Sequence, residues 1–219
     1  LACDQLPAAA QWQDPLSASC AKIALKISRF DDLRAFKNLA LWMAPLFAGQ
    51  DGEFLRLLEA SCLLSDGNWF EHEDYQAEHA FERILVMPFY GVNHAGRAFL
   101  ALSQYVRYKG YLYRGGRTRE SDESTKPAQK LLGDKMVDLA ITAGLAQRMG
   151  YLLTGGALGL LRHTELSMTA KRLVLKLDDK ADMLNADVIH EAMRGLAERV
   201  GREAVVEGQA DISLIEDSL

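Results

Sequence analysis

Histidine is the side chain best suited to both metal ligation and proton transfer near neutrality, and this chain has only five: His72, His79, His94, His163 and His190. That scarcity limits every metal scheme. The cluster that invites one is Leu63-Leu64-Ser65-Asp66-Gly67, followed by His72 and His79. A centre built on an adjacent His-Asp pair also needs an upstream histidine and a later aspartate, all converging on one divalent ion. Here the pair reads Ser65-Asp66, and no histidine precedes His72. A neutral hydroxyl is a poor replacement for imidazole toward a transition metal. On one helix, His72 and His79 would lie roughly 10 Å apart along the axis, too far to share an ion. The metal set is read as lost, and no metal ligand is assigned. Asp66 is expected to turn or cap the chain, and His79 to be a partly buried helix residue near Glu82.

No nucleophile fares better. Ser65, Ser103 and the three cysteines lie in no Gly-x-Ser-x-Gly or Gln-Ala-Cys setting. Gly115-Gly116 and Gly155-Gly156 lack the Lys-Ser/Thr of a phosphate loop and the spacing of a dinucleotide fingerprint, so they read as turns. No catalytic residue is assigned. Tyr105 to Arg119 is more informative. It gathers Arg107, Lys109, Arg114, Arg117 and Arg119 without an acid and interleaves Tyr105, Tyr108, Tyr111 and Tyr113. Arginine forks match phosphate oxygens, and several such contacts would give salt-dependent binding of a polyanion. The competing reading is a solvated loop base neutralised by Glu120, Asp122 and Glu123.

The elements that must position these residues are mostly helical. Leu33, Phe36, Ala40, Met43 and Phe47 recur at steps of three and four, with a bend or end expected at Pro45. Glu53 to Leu64 predicts a second helix, Glu73 to Leu85 a third and Ala95 to Tyr108 a fourth, stopped by Gly110. Tyr111 to Pro127 reads as a loop, and Ala128 to Leu153 as one long helix. After Gly155-Gly156, Leu173, Leu175 and Leu177 alternate as a strand; Val188 to Val200 predicts a helix, and Glu203 to Glu207 a second strand. The tail from Gly208 is expected to fray. The fold class is mainly α: a helical part over residues 1–160 and a small C-terminal β-α-β addition over 161–219.

The chain of 219 residues is 49% hydrophobic with a net charge of −5, which argues against a general nucleic-acid or membrane binder and leaves any polyanion to a local patch. No apolar run approaches the roughly 20 residues of a membrane span. Cys3, Cys20 and Cys62 are odd in number and without metal-ligand spacing, which predicts reduced thiols in a cytoplasmic protein. Leu1 to Gln13 reads as the middle of a connection, so an excised piece of a longer protein is expected.

Several strings then matter together: Leu63-Leu64-Ser65-Asp66-Gly67, His72-x-Asp74-Tyr75, Glu78-His79-Ala80, Gly91-Val92-x-His94-x-Gly96-Arg97-Ala98-Phe99-Leu100-Ala101-Leu102 and Tyr105-Val106-Arg107-Tyr108. This stretch resembles the C-terminal region of the exopolyphosphatase / guanosine pentaphosphate phosphohydrolase (Ppx/GppA) family. Asp14-Pro15-Leu16 and Trp42 to Phe47 resemble its beginning, and Ala143 to Leu153 with the closing β-α-β resemble it more loosely. The resemblance implies an HD-like helical domain, named for the metal-dependent phosphohydrolases that carry the His-Asp pair. It also implies an N-terminal actin-like phosphatase half that binds magnesium and hydrolyses terminal phosphoanhydrides. In the family the C-terminal half contributes to homodimerisation and to a channel for inorganic polyphosphate. On that resemblance Arg97, Arg107, Lys109 and Arg114 are the expected polyphosphate contacts, with Arg117 and Arg119 beyond them. The rival readings are an autonomous HD-type metal-dependent phosphohydrolase and a pure dimerisation or interaction module, with its apolar face on the Ala128 to Leu153 helix.

Overall fold

A computed structural model describes residues 14–110, 123–178 and 187–208. Asp14 opens the first helix, α1 (Pro15–Ile27), by accepting a hydrogen bond from the Ser17 amide at 2.8 Å, with Pro15 at the position where a missing N–H costs nothing. The same carboxylate accepts from Arg56 Nε at 2.7 Å. Burial alone would raise the Asp14 carboxyl, but the Ser17 and Arg56 hydrogen bonds outweigh it and hold the group below its ordinary 3.8. A folded value below the unfolded one stabilises the fold above about pH 4, and that contribution is lost as pH falls through the folded value. Asp14→Asn is therefore expected to flatten the acid limb of a stability-versus-pH curve below about pH 4. Asp14→Ala is expected to cost about 1 kcal/mol in urea unfolding.

Helix α2 (Arg34–Met43) gives way at Pro45 to a 3₁₀ turn over Ala44–Phe47, the bend that the proline predicts. Asp51 caps α3 (Gly52–Leu64), His72 caps α4 (Glu73–Val86) and Asn93 caps α5 (His94–Lys109). The expected loop to Pro127 ends early, since Glu123–Thr125 is a 3₁₀ turn running into α6 (Lys126–Leu132). The expected long helix is two, α6 and α7 (Asp134–Leu153), because Gly133 takes φ +71°, a backbone setting open to glycine and closed to a continuing helix.

α5 lies between α4 and α7, and α3 packs on α1, α2 and α5. Phe54 and Phe99 meet edge to face at 5.6 Å, as do Phe81 and Tyr105 at 6.0 Å. A buried polar knot ties α3, α5 and α7. Ser61 Oγ and Ser103 Oγ are 2.7 Å apart, Gln104 Nε2 donates to Gln147 Oε1 at 3.0 Å, and Gln147 Nε2 donates to Ser61 Oγ at 2.7 Å. Gln104 Oε1 stays buried without a partner, but the remaining bonds of the knot fix the relative register of the helices. α7 is buried along most of Ala140 to Leu153, so its apolar residues serve the core rather than offering a free face.

After a 3₁₀ segment over Leu158–His163 come β1 (Thr164–Met168), β2 (Arg172–Leu177), α8 (Asp187–Arg199) and β3 (Glu203–Glu207). β2, α8 and β3 form the expected β-α-β unit, with β2 and β3 parallel. β1 was not expected; it pairs antiparallel with β2, Leu166 opposite Leu175, giving the order β1-β2-β3. α8 packs on α7 and joins the sheet to the helical core. Cys20 and Cys62 are buried free thiols, and burial pushes the Cys20 thiol up to about 12. Among the described residues no helix is long and apolar enough to cross a membrane.

Candidate anion site at the end of helix α5

The Ser65-Asp66 turn follows α3 and is completely buried. Asp66 is held by Arg29, from the loop after α1. Oδ1 accepts from Arg29 Nη2 at 2.7 Å, and Oδ2 accepts from Arg29 Nε at 3.1 Å and from the Arg29 amide at 2.9 Å. Asp66 thus turns the chain, as expected, and does so around a guanidinium. Ser65 Oγ lies 2.9 Å from the Tyr151 hydroxyl, and the Tyr108 hydroxyl donates to the Ser65 carbonyl at 3.0 Å. Burial is the first cause raising both phenols above their ordinary range, so these hydroxyls stay neutral at physiological pH.

Arg107, near the end of α5, lies between the Tyr108 and Tyr151 rings, its guanidinium carbon 3.9 and 3.8 Å from the two ring centres. Its side chain is only 8% exposed, its Nη2 is 4.0 Å from Asp66 Oδ1, and its Nε is buried without a hydrogen-bond partner. Arg148 arrives from α7 and donates Nη1 to the carbonyls of Tyr108 at 3.2 Å and Arg107 at 3.4 Å, the negative end of α5. Gly110 makes this approach possible. It has φ +58°, and a Cβ there would stand 2.6 Å from the Arg148 guanidinium carbon. Burial first, and the neighbouring Arg107 charge second, lower Arg148 from its ordinary value.

These groups line a cavity of about 240 Å³ with Gln76, Leu152 and the Gly155-Gly156 turn. Three guanidinium groups border it, and among the described residues the carboxylate beside them, Asp66, is already engaged by Arg29. An excess of positive charge that is partly withdrawn from water, Arg107 most of all, is costly unless an anion compensates it. Planar guanidinium forks in such a place suit a phosphate-type oxyanion.

Of the residues singled out in the sequence, Arg107 lies in this cavity. Lys109, two residues on, pairs with Glu78 of α4. Arg97 sits near the start of α5 and donates Nη1 to the carbonyls of Ile84 at 2.9 Å and Met87 at 2.5 Å. Arg114, Arg117 and Arg119, with Tyr111 and Tyr113, lie outside the described residues. Sequence reasoning missed Arg29 and Arg148; the one available signal was Gln147-Arg148 interrupting the apolar second half of α7. His79 differs from expectation: it is exposed and pairs with Glu71 at 2.8 Å, not Glu82, because the chain reverses between α3 and α4. His72 caps α4 through Nδ1. Among the described residues, no group of three His, Cys, Asp or Glu side chains comes together in a way that could hold a metal ion.

A family model described as the exopolyphosphatase C-terminal region matches residues 26–206. The chain belongs to this exopolyphosphatase C-terminal family. The match takes in Arg29, Asp66, Arg107 and Arg148 together with the sheet. Membership in the exopolyphosphatase family implies that the parent protein is a hydrolase with an N-terminal partner region. The comparison with curated proteins returns no match.

Proposed function

We propose that this chain is the polyphosphate-handling accessory region of an exopolyphosphatase. Its parent removes terminal orthophosphate from inorganic polyphosphate and also acts on guanosine pentaphosphate, with magnesium and the catalytic groups in an actin-like N-terminal half. The observation that carries the reading is the convergence of Arg29, Arg107 and Arg148 on one cavity within the region matched by the family. Lys109 and, by its place in the sequence, Arg114 are proposed as further phosphate contacts, Lys109 in competition with its Glu78 partner. Arg97, ten residues before Arg107 on α5, is proposed as a separate contact through the rest of a guanidinium whose Nη1 already serves two carbonyls. An HD-like ancestry fits the buried Asp66 turn, with Arg29 now meeting the charge that a cation would meet. That engagement speaks against an autonomous metal-dependent hydrolase. Homodimerisation in the cytoplasm completes the proposal; exposed Val86 and Tyr90 at the end of α4 are apolar surface available to it.

Binding of long-chain polyphosphate to the whole chain tests this. Affinity is expected to fall between about 50 and 200 mM salt, with a log–log slope of about −2 to −3 for three or four phosphate contacts. Arg107→Ala combined with Lys109→Ala is expected to weaken binding and flatten the slope. Salt-independent binding, or binding unchanged in that double variant, would count against the proposal.

A further inference from the structure

The cavity has a property that a passage for a polymer does not require. It is short: at ~30 Å³ per water, its 240 Å³ holds roughly eight waters, or one or two phosphate groups with their hydration. Its walls are the Tyr108 and Tyr151 rings, Leu152 and the glycine turn. Its charge is concentrated, with three guanidinium groups against one carboxylate among the described residues. The most buried of the three, Arg107, has an Nε with no partner although its side chain is more than nine-tenths out of solvent.

Phosphate groups in a condensed chain are not alike. An interior unit has two bridging oxygens and one negative charge. An end unit has one bridging oxygen and three terminal ones, and a further ionisable oxygen that loses its proton near pH ~6, so it is a dianion at neutrality. Orthophosphate, with no bridging oxygen, also reaches the dianion around neutral pH. Among the described residues the cavity's surplus of two positive charges matches the end unit in charge, and its volume takes one or two groups. From this match we infer that the Arg29–Arg107–Arg148 cavity is a site for a single dianionic phosphate group, namely the end of a polyphosphate chain or free orthophosphate. This rests on the accessory-region reading and deepens it: the site distinguishes ends from interiors, and the orthophosphate released by the parent's reaction competes for it.

Calorimetric titration of the whole chain with orthophosphate, linear tripolyphosphate and cyclic trimetaphosphate separates the possibilities. Trimetaphosphate has no end group, yet it carries more charge than orthophosphate, so unspecific attraction would favour it. Orthophosphate and tripolyphosphate are expected to bind one per chain, and trimetaphosphate at least tenfold more weakly. Arg148→Gln, at a half-buried position, is expected to weaken orthophosphate at least tenfold. Arg107→Met is expected to do the same wherever its thermal unfolding shows it folded. Trimetaphosphate binding as tightly as tripolyphosphate, absent orthophosphate binding, or an Arg148→Gln variant that binds orthophosphate normally would each overturn the inference. Competition with long-chain polyphosphate keeps the two readings apart. Salt-dependent long-chain binding that orthophosphate does not displace would sink this inference and leave the accessory-region reading standing. Orthophosphate binding without any long-chain binding would do the reverse.

Discussion

Replacing Asp66 with alanine is expected to destabilise the protein by about 3 kcal/mol and to lower its melting temperature by roughly 6–12 °C. Asp66 is completely buried and accepts hydrogen bonds from the Arg29 amide, Nε and Nη2, while Arg107 stands 4.0 Å away. Removing the carboxylate leaves Arg29 without its partner and three guanidinium groups facing one another around a small cavity. Deleting one partner of a buried pair typically costs about 3–5 kcal/mol. The lower figure applies because the Arg29 side chain is 37% exposed and water takes up part of its charge. Asp66→Asn keeps one acceptor and the shape of the turn, so its loss of stability is expected to fall between wild type and alanine. Anion binding should move the opposite way. With the compensating charge of Asp66 gone, orthophosphate is expected to bind the asparagine variant about tenfold more tightly, equivalent to ~1.4 kcal/mol. Thermal unfolding with and without phosphate reads both effects in one experiment. A loss of stability together with weaker phosphate binding would mean that Asp66 shapes the cavity rather than opposing its charge.

The opposing effects follow from a site assembled over long sequence separations, which explains why so little of it was legible beforehand. Helix ends were legible where the signal is local. Asp51 and Asn93 cap α3 and α5 within one residue of where the apolar periodicity places them. Pro45 marks its bend for the same reason. β1 was not legible, because Thr-Glu-Leu-Ser-Met has one β-branched residue and owes its strand form to β2 beside it. The break at Gly133 was hidden by apolar residues whose spacing continues across it. In the site, Asp66 meets Arg29 from 37 positions back, and Arg148 reaches the end of α5 from 40 and 41 positions onward. No window of sequence contains such a pair. Arg107 was visible because arginines and tyrosines interleave around it. That same pattern promoted Lys109, whose ammonium is paired with Glu78, 31 positions earlier.

The close crossing of α5 and α7 brings Arg107 and Arg148 together, and it depends on Gly144. A Cβ at this position would lie 2.5 Å from the Ser103 carbonyl oxygen and 2.6 Å from Val106 Cβ. Intrinsic helix propensity alone favours alanine over glycine in a helix interior by about 1 kcal/mol. Here the obstructing atom is backbone in the middle of α5, which cannot rotate away as a side chain could, so overpacking is expected to win. Gly144→Ala is expected to cost about 1–3 kcal/mol net, and Gly144→Val upwards of ~3 kcal/mol, read as a lowered urea midpoint. Gly52→Ala is the matched control. Gly52 opens α3 with nothing within 4 Å of an added Cβ, so the same chemical change there is expected to be neutral or slightly stabilising. A stabilised Gly144→Ala would mean that the helices separate at little cost and that their spacing does not set the cavity. If the crossing is as tight as the 2.5 Å approach implies, the alanine variant pushes α5 outward at Ser103, one turn before Arg107. Orthophosphate affinity should then fall along with stability, although residue 144 borders no part of the cavity.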